Sequence, residues 1–324
     1  MTQKTPTILC IGKATQDVFL RSDEFDPQRE GKIMYTHLPL GVKMEVEDVT
    51  FATGGNATNV AVTLARQGLH ARYMWALGHD PASETVLHEL DREAVDTALV
   101  QRDDKYQAGY STIMIATNGE RTILNHRGVS VGSSGAPLDL SAIGDADWVY
   151  PTSLAQGGLG LLGKIIDIAK QHGTKVMLNP AGPELAEAKK LRGLLEDVDV
   201  LCVNKEEMQS LVDGQTLEEL VRNGCNICPV VIVSDGPNGV CAGDGKTIVK
   251  AGMYEDVPVV DRTGAGDAFG SGFLSQWARG ASLRDAIVFA SANSTSVVTK
   301  VGAKAGILRS GAVLHDMPLQ VIDF

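Results

Sequence analysis

Residues 257–274 of the 324-residue chain read VPVVDRTGAGDAFGSGFL. An extended apolar run gives way to Gly264-Ala265-Gly266, and Asp267 follows where a helix is expected to begin. The first amides of a helix have no intrahelical acceptor and sit at the positive end of its dipole, so a glycine turn there makes an anion hole. A carboxylate beside such a hole suits transfer of a phosphoryl group to a hydroxyl. The carboxylate orients the hydroxyl and takes its proton, while the amides stabilise charge on the transferring oxygens. Two plainer readings compete. An aspartate in a first helical turn often only stabilises that turn. A dinucleotide-binding turn is the other, but Gly264, Gly266 and Gly270 space as GxGxxxG rather than GxGxxG, and the run that follows is short for the second half of such a fold. The turn alone leaves capping and catalysis both open.

Other stretches place polar side chains beside glycines or strand ends. Gly54-Gly55-Asn56-Ala57-Thr58-Asn59 precedes a helical pattern. Its glycines let a ligand approach the backbone, and Asn56 and Asn59 offer donors and acceptors to hydroxyls. An ordinary Gly-Gly turn with an Asn cap fits Asn56 as well. Asp17 follows the first strand. Asn204 and Glu207 follow VDVLCV, and an oxygen pair at a strand end suits a hard cation, with helix capping as the alternative. Ser234-Asp235-Gly236-Pro237-Asn238-Gly239 forms a turn after the next strand.

Together these residues resemble the ribokinase-like (PfkB-type) carbohydrate kinases. Asp261-Arg262-Thr263-Gly264-Ala265-Gly266-Asp267, then Gly270-Ser271-Gly272-Phe273-Leu274, is similar to the family's C-terminal signature. The 54–59 turn, with Gly68 and Gly78, is similar to its N-terminal one. Arg262 departs from the pattern, which usually has a small residue or proline there. The resemblance implies Asp267 as general base and Gly264, Ala265 and Gly266 as the anion hole. It implies Asp17, Gly54, Gly55, Asn56 and Asn59 on the sugar, and Asn204, Ser234, Gly236, Gly239 and Asn293 on the nucleotide. Asn204 and Glu207 would hold Mg²⁺, often through water, and Asp261 and Thr263 a monovalent cation such as K⁺. The implied fold is α/β, a ribokinase-like three-layer sandwich with a mainly parallel central sheet and a small β lid lobe. The implied activity is ATP-dependent phosphorylation of a sugar's primary hydroxyl, in a homodimer paired through the lid. A nucleoside kinase of the same family, or a sugar or nucleotide sensor without catalysis, are the rival readings. Lys43, Asn125 and Arg127 fall where a lid or its root would reach the substrate, with solvated surface roles as the alternative.

The elements that must carry these groups are legible as a pattern. From about residue 140 onward helical and strand periodicities alternate. Strands are expected at 147–150, 175–178, 198–203 and 229–234, and helices at 159–171, 191–196, 205–212 and 217–223. With a strand at 7–11 and a helix at 56–67, this predicts βαβ units around a mainly parallel sheet. Residues 23–52 are polar, with extended pieces at 32–35 and 42–46. Residues 108–126 read as a hairpin about Asn118-Gly119. The expected division is a main body of residues 1–22, 53–107 and 127–324, and a lid lobe of 23–52 and 108–126.

Composition bounds the partners. Apolar content is 44%, charged content 21% and net charge −11, which argues against broad binding to nucleic acid or an anionic membrane. No run approaches a membrane span, and the N-terminal apolar run is short for a signal peptide, so a cytoplasmic location is expected. Five cysteines make an odd count. The Cys225–Cys228 CxxC pair lacks a second pair or histidines at zinc spacing, so neither a disulfide framework nor a zinc site is expected. The seven histidines form no HExxH or triad-like group.

Overall fold

Strands that lack a polar face must be covered on both sides. Residues 8–11, 200–203 and 230–233 are all buried, and they lie at the centre of the molecule. The computed structural model describes residues 4–132, 135, 137–154 and 157–324. Among the described residues a nine-stranded sheet runs in the order His70–Met74, Thr7–Ile11, Trp148–Pro151, Lys175–Leu178, Val200–Asn204, Val230–Ser234, Val240–Gly243, Thr247–Ala251, Leu319–Asp323. The first six are parallel and the last three pair antiparallel.

The strand order reverses direction at Thr7–Ile11. Right-handed crossovers therefore put the Asn56–Arg66 helix on one face and Gly158–His172 and Leu217–Gly224 on the other. The Ala265–Trp277 helix packs against both Asn56–Arg66 and Leu283–Val298. The expected 191–196 helix is shorter and earlier, at Ala188–Arg192, followed by a single tight turn at Leu195–Asp197. Gly173 ends the Gly158–His172 helix in a left-handed conformation (φ +72°), as a C-terminal glycine should.

The smaller sheet has the order Arg121–His126, Gly109–Ile115, Thr15–Arg21, Asp48–Gly54. Thr15–Arg21 thus lies between two lid strands, although residues 1–22 were expected in the main body. Its sequence (TQDVFLR) does not alternate, and its pairing with Gly109–Ile115 and Asp48–Gly54 is what places it in the lid. The hairpin turns at Gly119 (φ +85°), as expected. The extended piece expected at 42–46 is not a strand. Met44 and Val46 instead cover Phe25, Met114 and Ala116.

Register fixes which lid residues share a face. Asp17, Ser111 and Asn125 stand in one row across three strands. Phe19 and Ile113 alternate with them on the same side and pack with Val301, so this side faces the main body. Val49, Phe51, Tyr110 and Leu124 lie on the opposite side and are exposed. Behind the lid, Arg66 fastens the segment after the last long helix. It donates to the carbonyls of Lys304 (2.7 Å) and Ile307 (3.0 Å) while paired twice with Glu93 (2.9 and 2.7 Å).

Candidate active site

Two helix starts from opposite ends of the chain meet at the strand ends. Asn56 and Asn59 are three residues apart in one helix and so share a face. Both donate their side-chain amides to Asp267, at 2.8 Å to Oδ1 and 2.8 Å to Oδ2 respectively. Asp267 is 6% exposed and lines a cavity of about 300 Å³ with Asn56, Asn204, Glu207 and Gly266. Each carboxylate oxygen has a second lone pair, so the two asparagines fix the group without exhausting it as an acceptor. Among the described residues Asn59 Oδ1 is buried without a partner, which leaves an open acceptor beside Asp267.

The glycine turn is built as its sequence demands. Gly264 has φ +77°, and a Cβ there would lie 2.4 Å from that of Ala303. The Ala265 amide is already bonded to the Arg262 carbonyl (3.3 Å), so Ala265 does not contribute its N–H to an anion hole as expected. The Gly266 and Asp267 amides have no partner among the described residues, and the space at Gly266 is open. These two amides at the helix start are placed to receive an anion.

At the Gly54-Gly55 turn, a side chain on Gly54 would strike Asp17 Oδ2 at 2.2 Å. Gly55 has φ +95° and rests on the Lys13 carbonyl. The carboxylates of Asp17 and Asp267 thus lie on the two sides of one glycine turn. Burial pushes the Asp267 carboxyl above the usual aspartate range, opposed by Asn59, Asn56 and the Lys304 ammonium. Hydrogen bonds to a charged group are worth roughly 1.5–3 kcal/mol each, enough to resist the desolvation but here not to cancel it. Asp17 is raised by burial too, with Ser111, Lys304 and Thr15 opposing.

A larger cavity, about 460 Å³, adjoins this one and is walled by Val240, Val257, Val259, Phe269 and Val298. The two share Ser234, Arg262, Ala265, Gly266 and Phe269, so the glycine turn stands where they join. Ser234, Gly236 and Gly239 line the larger cavity. Asn293 does not. It is fully buried, donates to the Ala268 carbonyl (2.8 Å) and accepts from the Leu308 amide (2.9 Å), so one end of its amide ties two helices together and the other holds the segment that follows the last helix.

The oxygen ligands expected for cations are partly used. Asn204 and Glu207 form a reciprocal helix cap, with Glu207 Oε2 accepting from the Asn204 amide (2.9 Å). Glu207 Oε1 has no partner among the described residues, and its residue lines the Asp267 cavity, which fits a Mg²⁺ held by one carboxylate and waters. Asp261 accepts from the Thr263 amide and hydroxyl, the Gly302 amide and Arg121 Nη1 (3.1 Å). Three residues escaped the sequence reading. Ser111 joins Asp17 only through strand register. Arg121 reaches Asp261 only through the lid's fold. Lys304 did leave a signal, a lone charge in the small and apolar run VGAKAGIL, and it is 4% exposed.

The pfkB family carbohydrate kinase profile matches residues 5–309. The chain belongs to this family. It is therefore a phosphotransferase of the ATP-dependent sugar and nucleoside kinase group, which generally works with Mg²⁺. Haemophilus influenzae ribokinase is 26% identical over 82% of this chain and 88% of its own length. An ATP-dependent ribose-1-phosphate kinase of Halopiger xanaduensis is 25% identical over 92% of this chain and 94% of its own. The structure of Arabidopsis thaliana ribokinase complexed with ribose and ATP superposes with TM-score 0.75 at 20% identity, covering 94% of this chain and 96% of that one. Among the described residues no helix is long and apolar enough to cross a membrane.

A general base must be ionised, and burial raises Asp267, so activity is expected to fall with acidity above the ordinary aspartate value of about 3.9. Asn59→Ala removes a bond that favours the charged form and should move this acid limb to higher pH still. A pH profile of kcat/KM for both enzymes checks it, and a wild-type limb below about pH 3.5 would contradict it.

Proposed function

We propose that the chain transfers the γ-phosphoryl group of ATP to the primary hydroxyl of a small sugar, with Asp267 as general base. The observation that carries this reading is a buried carboxylate, clamped by two asparagines, at the mouth of a helix-start anion hole between two joined cavities. The apolar cavity suits a nucleotide base, and the exposed Arg262 at the junction suits its phosphates. Asp17 and the open acceptor on Asn59 orient the sugar hydroxyls. Asp267 aligns the attacking hydroxyl and takes its proton as the oxygen bonds to phosphorus, while the Gly266 and Asp267 amides hold the transferring oxygens. Glu207 and Asn204 would hold Mg²⁺, which neutralises phosphate charge when bound. Closure of the lid sheet over the sugar excludes water as a competing acceptor. Asp261 and Thr263 remain the proposed contacts for K⁺.

Asp267→Asn keeps the shape but not the base, and should cut turnover by roughly 10²–10⁴-fold. Near wild-type turnover in this variant on its true acceptor would remove the assignment. ATP consumption across a panel of sugars and nucleosides separates the kinase from a sensor, which would bind and be stabilised without turnover.

One feature favours an acceptor that also carries an anion. The pairing of Gln107 with Val129 continues the register of the hairpin, so Arg127 falls opposite Gly109 on the Asp17 side of the lid. Burial, and after it the Arg127 guanidinium, lower the pKa of Lys13, which Glu184 opposes. Among the described residues neither cation has an ion-pair partner. Two neighbouring cations beside the sugar turn suit a phosphate or carboxylate on the sugar, as in the relative named for ribose 1-phosphate. Ribose 1-phosphate should then outcompete ribose by at least tenfold in kcat/KM, a preference that Arg127→Gln abolishes. Equal use of the two by wild type would return the reading to neutral sugars.

The exposed outer side of the lid, with Val49, Phe51, Tyr110 and Leu124, supports a homodimer in which two lids pair. Sedimentation should give a dimer for wild type and a monomer for Phe51→Glu, and a monomeric wild type at working concentration would end this proposal.

A further inference from the structure

Lys304 is a buried ammonium to which the proposed mechanism gives no task. It is 4% exposed, and among the described residues no carboxylate is in ion-pair contact with it. Its Nζ donates to the Thr53 carbonyl (2.9 Å) and the Thr53 hydroxyl (2.8 Å), and that hydroxyl donates on to Glu89 (3.0 Å). Thr53 immediately precedes the Gly54-Gly55 turn. The lysine backbone is equally fixed, since Arg66 holds its carbonyl (2.7 Å) and the neighbouring Ala303 is the residue that excludes a side chain at Gly264. One short segment therefore reaches Thr53, at the start of the Gly54-Gly55 turn, through Lys304 and packs against Gly264 through Ala303.

We propose that Lys304 is a positioning residue of the phosphoryl-transfer site, fixing the Thr53 end of the sugar turn and supplying one positive charge that Asp17 and Asp267 share. A lone buried lysine is costly to keep and is seldom retained without a partner. Here the partners are spread around it. Glu89, Asp17 and Asp267 all favour its charged form, and Arg66 opposes it. Burial outweighs them and brings the ammonium down to about 8, so it is still charged at neutral pH. The effect returns on both acids, each of which Lys304 pulls towards ionisation. Of the other groups around Asp267, Arg262 lines the same cavity but is exposed and so is screened by solvent, and Glu207 carries the opposite charge. Asn56 and Asn59 are neutral, and Tyr150 and Cys202 are neutral buried groups whose own ionisation burial suppresses. Without a cation in this place, two desolvated carboxylates and an incoming triphosphate would face one another unbalanced, and the base would hold a proton when it must accept one.

The inference rests on Asp267 being the base, and the test separates the two. Lys304→Gln keeps a donor for Thr53 and deletes the charge. Its acid limb in kcat/KM should move to higher pH by roughly one unit, with most of the rate recovered at alkaline pH, where Asp267 is ionised regardless. A uniform loss at all pH values with the limb unmoved means a merely structural lysine and overturns the proposal. Coupling between charges is reciprocal, so a second measurement needs no lysine variant. In Asp267→Asn, the Lys304 titration, followed by NMR of ¹³C-labelled lysine, should fall below its wild-type position near 8. A titration that stays in place also overturns the proposal, even where Asp267→Asn is inactive and the base assignment stands. Full turnover by Asp267→Asn would instead sink the base, and this inference with it.

Discussion

The clamp of Asn56 and Asn59 on Asp267 is the interaction on which the site depends. The partners are 211 and 208 residues apart, and each sits in the first turn of its helix. The sheet therefore has to bring two helix starts to the same edge. It does so through the reversal of strand order at Thr7–Ile11, which sends the Asn56–Arg66 helix to the face where Ala265–Trp277 packs. Small residues allow the close approach. Gly270 and Gly272 leave room for Tyr150 and for the Leu283–Val298 helix, where a Cβ would stand 2.4 Å from the Tyr150 hydroxyl and 3.2 Å from Ala290 Cα. The glycines of this helix thus serve packing, whereas Gly264 and Gly266 serve the turn and the open space before it.

The lid contributes by register rather than by motif. Asp17 is useful because Ser111 and Asn125 fall in line with it and because Gly54 leaves it uncovered. A one-residue slip of any lid strand would turn these polar groups outward and the exposed row of Val49, Phe51 and Leu124 inward. The proposed substrate contacts and the proposed lid pairing thus use opposite faces of the same small sheet. The Arg121–Asp261 contact adds a tie from the lid to the root of the anion-hole turn, since Asp261 also holds the amides of Thr263 and Gly302.

What the sequence disclosed follows from how local each signal is. The Gly-Ala-Gly-Asp and Gly-Gly-Asn turns are legible because special backbone angles and helix starts leave a mark within a few residues. The buried strands are legible because double coverage demands unbroken apolar runs. The placement of Thr15–Arg21 in the lid was hidden, because its partners lie about 35 and 95 residues onward and only pairing decides its sheet. Asn293 misled for a related reason. A polar residue on a late helix looks like a ligand contact until its two amide ends are found bridging Ala268 and Leu308. Asn204 and Glu207 form the helix cap that was the plainer alternative, and it leaves one carboxylate oxygen of Glu207 without a partner among the described residues.

Burial explains why the site needs support from beyond its motifs. Asp17 and Asp267 are both less than a tenth exposed, and the ionised form of each is opposed by loss of water. In solvent a carboxylate would stay charged without help but would be a weak, mobile base with water as a rival nucleophile. In the cavity it is fixed and shielded, but it stays charged only if dipoles and a cation replace the lost water. The helix start, the two asparagine amides and Lys304 are that replacement. Their positions are set by three separate elements, so the charge state of the base depends on the whole frame around it. On the proposed reading, this dependence lets a residue outside every recognisable motif set the pH at which the motif works.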